Sequence, residues 1–184
     1  EVAQLRVYAS AHAHSSIDKA CMTLGSGRAS VVHVAVDDAY AMRPDALEAA
    51  IAADRAAGHR PMAIVATVGT TSSTAVDPVA AIADTAEREG LWLHVDSAYA
   101  GVVALIPERR GFFDGWDRAD WSATNPHRGL FTPLDASLLV TRRMDDLRAF
   151  TDVREVLEPK ALELARPKLE RAELERMLAA NAPP

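Results

Sequence analysis

Cysteine, aromatic residues and long apolar runs are all scarce in this sequence. Cys21 is the only cysteine, so no internal disulfide can form and a reducing compartment is favoured. Aromatic residues make up only 5% of the chain, and the net charge of −6 comes with no basic stripe, which argues against a nucleic-acid-binding surface. No apolar run approaches the roughly 18 residues of a membrane span. We therefore expect a soluble, cytoplasmic protein without nucleic-acid or membrane partners.

The chain has 184 residues, which is enough to bury the core of one domain. It begins at Glu1, without a methionine or a signal peptide, in sequence that already has the pattern of a folded element. This beginning predicts a fragment of a longer protein. From Thr151 the pattern changes to charged helical sequence that prolines interrupt. We therefore expect one domain over 1–150 and a divergent helical tail over 151–184.

Apolar, β-branched runs alternate with helical patterns along the chain. The runs that predict strands are Val31–Val36, Met62–Val68, Leu91–Val95 and Ala136–Val140. Continuous apolar runs of this kind are typical of parallel strands that are covered on both faces. The alternation of strand and helix predicts an α/β fold, in which helices and right-handed crossovers cover a mostly parallel sheet.

Three helices between these strands have recognisable ends. Ser15 and Asp18 have the spacing of a capping box, which predicts a helix start. Pro44 fits the first turn of a second helix. The pair Asp77–Pro78 opens a third helix, and Gly90 ends it.

The residues with the most chemical content follow the predicted strands. Asp96 ends the apolar run that starts at Leu91, and a buried acid is costly there unless it meets a cation or a hydrogen-bond donor. Open α/β sheets bind ligands at these strand ends. Asp96 could therefore pair with a cationic ring nitrogen, or it could cap a helix or bind a metal. Ala98 is small enough for a ring to lie against it, unless it is simply one of many alanines.

Other polar segments offer further candidates. The hydroxyl-rich run Gly69–Ser73 follows a predicted strand and offers donors in a tight turn, although such a run is often only a loop and lacks the lysine of a P-loop. His14 could stack on a ring or form a metal pair with His12, but no Cys, Asp or Glu lies at ligand spacing. Asn125 and His127 could contact a phosphate or simply shape a turn around the proline between them.

Together, these candidates meet most of the needs of a pyridoxal 5′-phosphate (PLP) site. The ring nitrogen of PLP must stay protonated for the cofactor to act as an electron sink, so it needs a carboxylate partner. The phosphate needs hydroxyl and backbone donors, and the ring needs a flat residue on one face and a small one on the other. A lysine must form the Schiff base with the cofactor.

Four runs carry a resemblance to a known family. They are His12–Ser16, Ala66–Thr71, His94–Gly101 and Asn125–His127. In this order they resemble the large domain of the group II PLP-dependent decarboxylases, which include the aromatic-L-amino-acid, histidine and glutamate decarboxylases. The resemblance covers about residues 2–150 and is closest to the aromatic amino acid branch. It implies part of the large domain of a fold-type I PLP-dependent enzyme.

The resemblance implies roles for particular residues. The cofactor-binding residues it implies are His14, Thr71, Asp96, Ala98, Asn125 and His127. His14 would also be catalytic, because it would stack on the ring and help to place substrate and proton. Asp96 would pair with the pyridine nitrogen, and Ala98 would underlie the ring. Asn125 and His127 would lie by the phosphate and the Schiff-base position. The implied activity is decarboxylation of an amino acid, in a homodimer when the protein is full length.

The sequence departs from the family pattern at a decisive position. Arg128 stands where the pattern has the Schiff-base lysine, and a guanidinium lacks the free amine that attacks an aldehyde. Gly129 follows where the family usually has a bulky aromatic residue. The lysines of the chain are Lys19, Lys160 and Lys168, and none lies at a matching position. We therefore expect the family lineage without normal turnover by this chain.

Two other interpretations account for parts of the sequence. The chain could be a non-catalytic relative that acts as a structural or partner subunit, in which case Arg128 would pair with Asp96 or bind an anion at the phosphate position. A nucleotide-binding Rossmann-like domain would explain the alternation of strands and helices. No Gly-x-Gly-x-x-Gly follows a strand, however, which removes the main support for that interpretation.

Overall fold

The computed structural model describes residues 4–148 of the chain. The strands are β1 (Leu5–Ser10), β2 (Val31–Val34), β3 (Arg60–Thr67), β4 (Trp92–Asp96), β5 (Trp121–Thr124) and β6 (Leu138–Thr141). The α-helices are α1 (Ser16–Thr23), α2 (Pro44–Ala56) and α3 (Val79–Glu89). Residues 4–142 belong to one compact unit, and a second unit begins at Arg143. The predicted tail over 151–184 lies outside the described residues.

The strands form one sheet in the order β2-β1-β3-β4-β5-β6. Neighbouring strands from β2 to β5 are parallel, and β6 is antiparallel to β5. The predicted α/β fold with a mostly parallel sheet is confirmed. All four predicted strands are present with slightly different bounds, whereas the sequence analysis missed β1 and β5. Among residues 4–148, none of the helices is both long enough and apolar enough to cross a membrane.

The helix ends confirm three predictions and correct one. Pro44 occupies the first turn of α2, and Gly90 ends α3 in the left-handed conformation with φ of 65°. The helix start predicted at Ser15 is confirmed, because α1 begins at Ser16, but the capping box that was expected there does not form. Ser15 already has helical dihedral angles, which do not suit an N-cap, and its side chain makes no capping hydrogen bond. The carboxylate of Asp18 instead lies 3.2 Å from Nε of Arg28 and 3.4 Å from Nε2 of His33.

The two faces of the sheet are covered unequally. Successive side chains of a strand point to opposite faces, so each strand contributes alternate residues to each face. One face packs against α2 and α3 through the larger buried cluster, which includes Ile64, Leu93 and Val95. The other face carries a smaller cluster, in which Val65 of β3 and Cys21 of α1 are buried. The second face is therefore the one with room for a ligand.

Candidate active site

The candidate site lies where β3, β4 and β5 end. Because these strands are parallel, their carboxyl ends meet at one edge of the sheet. Thr67 is in register with Asp96, and Asp96 with Ala123, so the three side chains point to the same face. They line a cavity of about 320 Å³ on the less covered face. The predicted site residues in its wall are His14, Thr71, Asp96, Ala98, Asn125 and Arg128.

The half-buried carboxylate of Asp96 is held by a local turn. Its Oδ1 accepts a hydrogen bond from the backbone N–H of Ala98 at 3.0 Å. The backbone carbonyl of Asp96 accepts a second bond from the N–H of Val68 at 2.9 Å. This turn points the carboxylate into the cavity and leaves acceptor capacity for a ligand. Within residues 4–148, no group of three or more His, Cys, Asp or Glu side chains is arranged to hold a metal ion.

Gly69 allows the loop after β3 to pack closely against the loop after β4. Its φ is +83°, and a Cβ at this position would lie 2.5 Å from Cβ of Ala100. The N–H groups of Gly69 and Thr70 both donate to the carbonyl of Ala75, at 2.9 Å and 3.0 Å. The loop is therefore narrow and closed, and it brings Thr71 to the cavity wall.

Asp77 fastens this loop at its base. Its carboxylate accepts hydrogen bonds from the N–H of Met42 at 2.7 Å and from the N–H of Thr67 at 2.8 Å. Its own N–H donates to the carbonyl of Thr67 at 2.9 Å. Burial raises the pKa of Asp77 to about 6, although both backbone hydrogen bonds oppose the rise. The sequence pattern predicts a helix start at this residue, whereas α3 begins at Val79.

Two further polar residues of the cavity were missed by the sequence analysis. Oγ1 of Thr67 is buried and has no hydrogen-bond partner among residues 4–148. His94 lines the cavity from the same face of β4 as Asp96. Burial lowers the pKa of His94 more than the charge of Asp96 raises it, which favours a neutral imidazole. The alternation along the run Leu91–Asp96 could have indicated His94, because it lies two residues before Asp96.

His14 lies at the cavity, but His12 does not line it. Nδ1 of His14 accepts a hydrogen bond from the N–H of Ser16 at 3.2 Å. This bond requires an unprotonated Nδ1, so the proton of the neutral ring is on Nε2. The ring of His12 instead contacts Tyr40, with 4.9 Å between ring centroids. The two histidines therefore lie in different environments, His14 at the cavity and His12 against Tyr40.

The segment after β5 forms the remaining wall of the cavity. Asn125 donates its N–H to the carbonyl of Ala98 at 3.3 Å, and a 3-10 turn over Pro126–Arg128 follows. Nδ1 of His127 lies 2.8 Å from the carbonyl oxygen of Ala136, and this residue does not line the cavity. The side chain of Arg128 does line it.

Gly129 packs against the segment after β4. A Cβ at Gly129 would lie 2.6 Å from Cγ2 of Val102. A bulky aromatic side chain, which the family usually has here, would require Val102 to move. The second departure from the family pattern therefore matches the local packing of this chain.

The mostly parallel sheet, with a cavity at its strand ends, has the fold of the large domain of fold-type I PLP-dependent enzymes, as solved structures of such enzymes show. The crystal structure of Oryza sativa TDC with PLP superimposes with a TM-score of 0.76 and 42% identity. The match covers 79% of this chain and 31% of that one.

The chain belongs to the pyridoxal-dependent decarboxylase family. The family model described as the pyridoxal-dependent decarboxylase conserved domain matches residues 2–160. Phenylacetaldehyde synthase of Arabidopsis thaliana is 41% identical over 146 residues, which are 78% of this chain and 30% of the relative. Cysteine sulfinic acid decarboxylase of Rattus norvegicus is 43% identical over 143 residues, which are 78% of this chain and 29% of the relative. The chain thus spans about 30% of the length of these relatives.

The family is PLP-dependent, and the cavity can be tested for its fit to that cofactor. Asp96 offers a carboxylate with free acceptor capacity, and Thr67 offers a buried hydroxyl without a partner. Both residues line the cavity, so they fit the non-covalent binding of PLP. The cavity does not fit covalent attachment of PLP, because Arg128 supplies a guanidinium where the Schiff base needs a lysine amine.

Proposed function

We propose that this chain forms part of the PLP site of an amino acid carboxy-lyase, and that it binds the cofactor without turning over substrate. The observation that supports this most is the joint presence of Asp96 and Arg128 in the wall of one cavity. The carboxylate suits the ring nitrogen of the cofactor, whereas the guanidinium cannot replace the lysine. The proposal extends to a cytoplasmic location and to a homodimer when the protein is full length.

The residues of the cavity have distinct tasks under this proposal. PLP, when bound, supplies the electron sink that stabilises the charge left when carbon dioxide departs. Asp96 accepts a hydrogen bond from the ring nitrogen and keeps it protonated. The hydroxyls of Thr67 and Thr71 and the amide of Asn125 bind oxygen atoms of the cofactor. His14 lies at the rim of the cavity, where its Nε2–H can be donated to a ligand.

Under this proposal, Arg128 is also the reason why we expect no turnover. A guanidinium stays protonated at any working pH, so Arg128 cannot act as the nucleophile that captures an aldehyde. Among residues 4–148 the only lysine is Lys19, which is exposed on α1 and does not line the cavity. The described part of the chain therefore brings no primary amine to the site.

The experiment that tests this proposal is reductive trapping. The purified chain and its Arg128→Lys variant are incubated with PLP, reduced with borohydride, and mapped by mass spectrometry. We expect a pyridoxyl label at the introduced lysine in the variant and none at Arg128 in the wild-type chain. A variant that stays unlabelled at this position would show that the cavity does not hold PLP, and the proposal would fail.

We propose aromatic L-amino acids as the substrate class, on the strength of the motif resemblance. Overall identity does not choose a substrate, since an aldehyde synthase and a cysteine sulfinic acid decarboxylase are matched almost equally well. Stable phosphopyridoxyl conjugates of L-tryptophan and L-aspartate, added to the purified chain, test the choice. We expect the tryptophan conjugate to bind more tightly. Equal affinity or a preference for aspartate would contradict the aromatic assignment.

A non-catalytic partner subunit is the second candidate function, and one observation favours it. Leu138, Leu139 and Val140 of the edge strand β6 are 54%, 49% and 60% exposed, which is unusual for consecutive apolar residues in a strand. Co-expression with a lysine-bearing relative, followed by size-exclusion chromatography, tests this role. A stable heterodimer supports it, and separate elution of the two chains counts against it.

A further inference from the structure

Arg128 is a cation in the cavity wall that has no acidic partner. Among residues 4–148, no carboxylate lies within ion-pair distance of its guanidinium, and its side chain is exposed towards the cavity. Several other arginines among residues 4–148 are paired, as in the contacts of Arg6 with Asp54 and of Arg118 with Glu87. The guanidinium of Arg128 is therefore available to a ligand.

The cavity also holds an acid that Arg128 does not neutralise. Asp96 lies at the end of β4 and Arg128 follows the end of the neighbouring strand β5, yet the two side chains form no ion pair. Asp96 takes one hydrogen bond from a backbone N–H and keeps its remaining acceptor positions. A cavity with a separate carboxylate and guanidinium is complementary to a ligand that carries both a protonated ring nitrogen and an anionic group.

The neutral donors of the cavity differ from Arg128 in what they recognise. Thr67, Thr71 and Asn125 offer hydroxyl and amide groups to oxygen atoms of a ligand. A guanidinium presents a planar pair of donors that matches a carboxylate with two parallel hydrogen bonds. In PLP enzymes the residue at this position bonds to the carbon that otherwise carries the amino acid. Arg128 is therefore suited to the carboxylate of an attached amino acid.

We propose that Arg128 makes this cavity a non-covalent receptor for the conjugate of pyridoxyl phosphate with an amino acid, which it recognises by the amino acid carboxylate. The inference rests on the proposed function, because it takes the ring and phosphate to occupy the same cavity. Arg128, which cannot form the Schiff base needed for catalysis, thereby has a role in binding. Ligands that lack the carboxylate, including the free cofactor, bind more weakly because they leave the guanidinium without a partner.

A matched pair of probes tests the assignment. Phosphopyridoxyl-L-tryptophan and phosphopyridoxyl-tryptamine are stable secondary amines that differ only in the carboxylate. Dissociation constants are measured by fluorescence titration for the wild-type chain, Arg128→Gln and Arg128→Lys. We expect the wild-type chain to bind the tryptophan probe about tenfold more tightly than the tryptamine probe. This factor is at the lower end of the effect of a charge-assisted hydrogen bond. We expect the lower end because Arg128 is exposed, so water weakens the interaction. Arg128→Gln is expected to abolish the preference and Arg128→Lys to retain part of it.

Arg60→Gln is the matched control, because Arg60 is exposed at the opposite end of β3. This variant is expected to keep the wild-type preference. Equal weakening of both probes in Arg128→Gln would show that Arg128 binds the phosphate, and equal binding of both probes in all chains would show that it binds neither anion. Either result overturns the inference while the proposed function stands. If neither probe binds and reductive trapping of Arg128→Lys also fails, the proposed function fails as well.

Discussion

The two faces of the sheet differ in what covers them and in the polarity of their residues. On the face covered by α2 and α3, the strand residues are apolar, as with Ile64, Leu93 and Val95. On the opposite face, the alternate residues of the same strands include Thr67 and Asp96. One strand such as β4 therefore contributes to the core and to the cavity at once. The comparison shows that strand ends can carry polar groups at a cavity without interrupting the core.

The lengths of the covering helices explain the difference. Helices α2 and α3 have 13 and 11 residues, whereas α1 has only 8. The short helix α1 covers β1 and β3 and leaves the face of β4 and β5 beside it open, which is where the cavity lies. Most of the buried apolar core therefore lies on the face under α2 and α3, and the cavity lies on the other face.

The largest expected effect comes from a substitution on the packed face. Leu93 is 2% exposed in the larger cluster, so Leu93→Ala removes a buried side chain and leaves a cavity. We expect a loss of about 2–5 kcal/mol in the free energy of unfolding, measured by urea denaturation. Leu139→Ala is the control, because Leu139 is 49% exposed on β6, and its cost is expected to be about 0.5 kcal/mol. Equal losses in the two variants would contradict the division between packed and open regions.

The next effect concerns the loop that closes the cavity. Gly69 and Gly58 have nearly the same φ, +83° and +81°, but only Gly69 has neighbours where a Cβ would be. Each Gly→Ala change incurs a backbone cost of about 1–2 kcal/mol. Gly69→Ala is expected to cost about 1–3 kcal/mol more than Gly58→Ala, because its Cβ meets Ala100. The measurement is urea unfolding, and identical losses would show that the loop adjusts freely.

The elements that the sequence predicted correctly have strong local signals. Pro44 fits only the first turn of a helix, and Gly90 adopts the left-handed conformation that ends one. The missed strands lack a continuous apolar run, because β5 contains Ser122 and Thr124 and β1 contains Arg6, whose charge is paired with Asp54. Short strands are specified by their neighbours in the sheet, which the local sequence does not show.

The candidate site was partly predictable for a related reason. Asp96 follows an apolar run, so its position at a strand end could be read locally. The role of Asp77 could not, because one of its partners is the N–H of Met42, 35 residues away. The direction of the His127 ring towards Ala136 also depends on a loop whose path is not encoded near His127. The functional roles of the site residues stay predictions until ligand binding is measured.

Asp77 joins the packed face to the cavity loop, and its substitution should change the pH dependence of stability. Burial raises its folded pKa to about 6, whereas an unfolded Asp has a pKa of about 3.9. The folded state therefore holds the proton more tightly, and stability falls as the pH rises from about 4 to 6. This contribution is about 3 kcal/mol, because the two pKa values differ by about two units and each unit is worth about 1.4 kcal/mol. In Asp77→Asn the fall should be smaller by that amount in urea titrations at several pH values. An unchanged pH profile would contradict the assignment.

The smallest effect is expected at the surface contact between α3 and the turn before β5. Arg118 lies 2.7 Å from carboxylate oxygens of both Asp84 and Glu87, and all three side chains reach solvent. Exposed ion pairs contribute little, because water screens the charges and ordering the side chains costs entropy. Arg118→Gln should lower the unfolding midpoint slightly at low ionic strength and not at about 1 M salt, where screening is nearly complete. A large loss of stability that persists in high salt would show that Arg118 contributes to the core by packing. The packed region would then include the turn before β5.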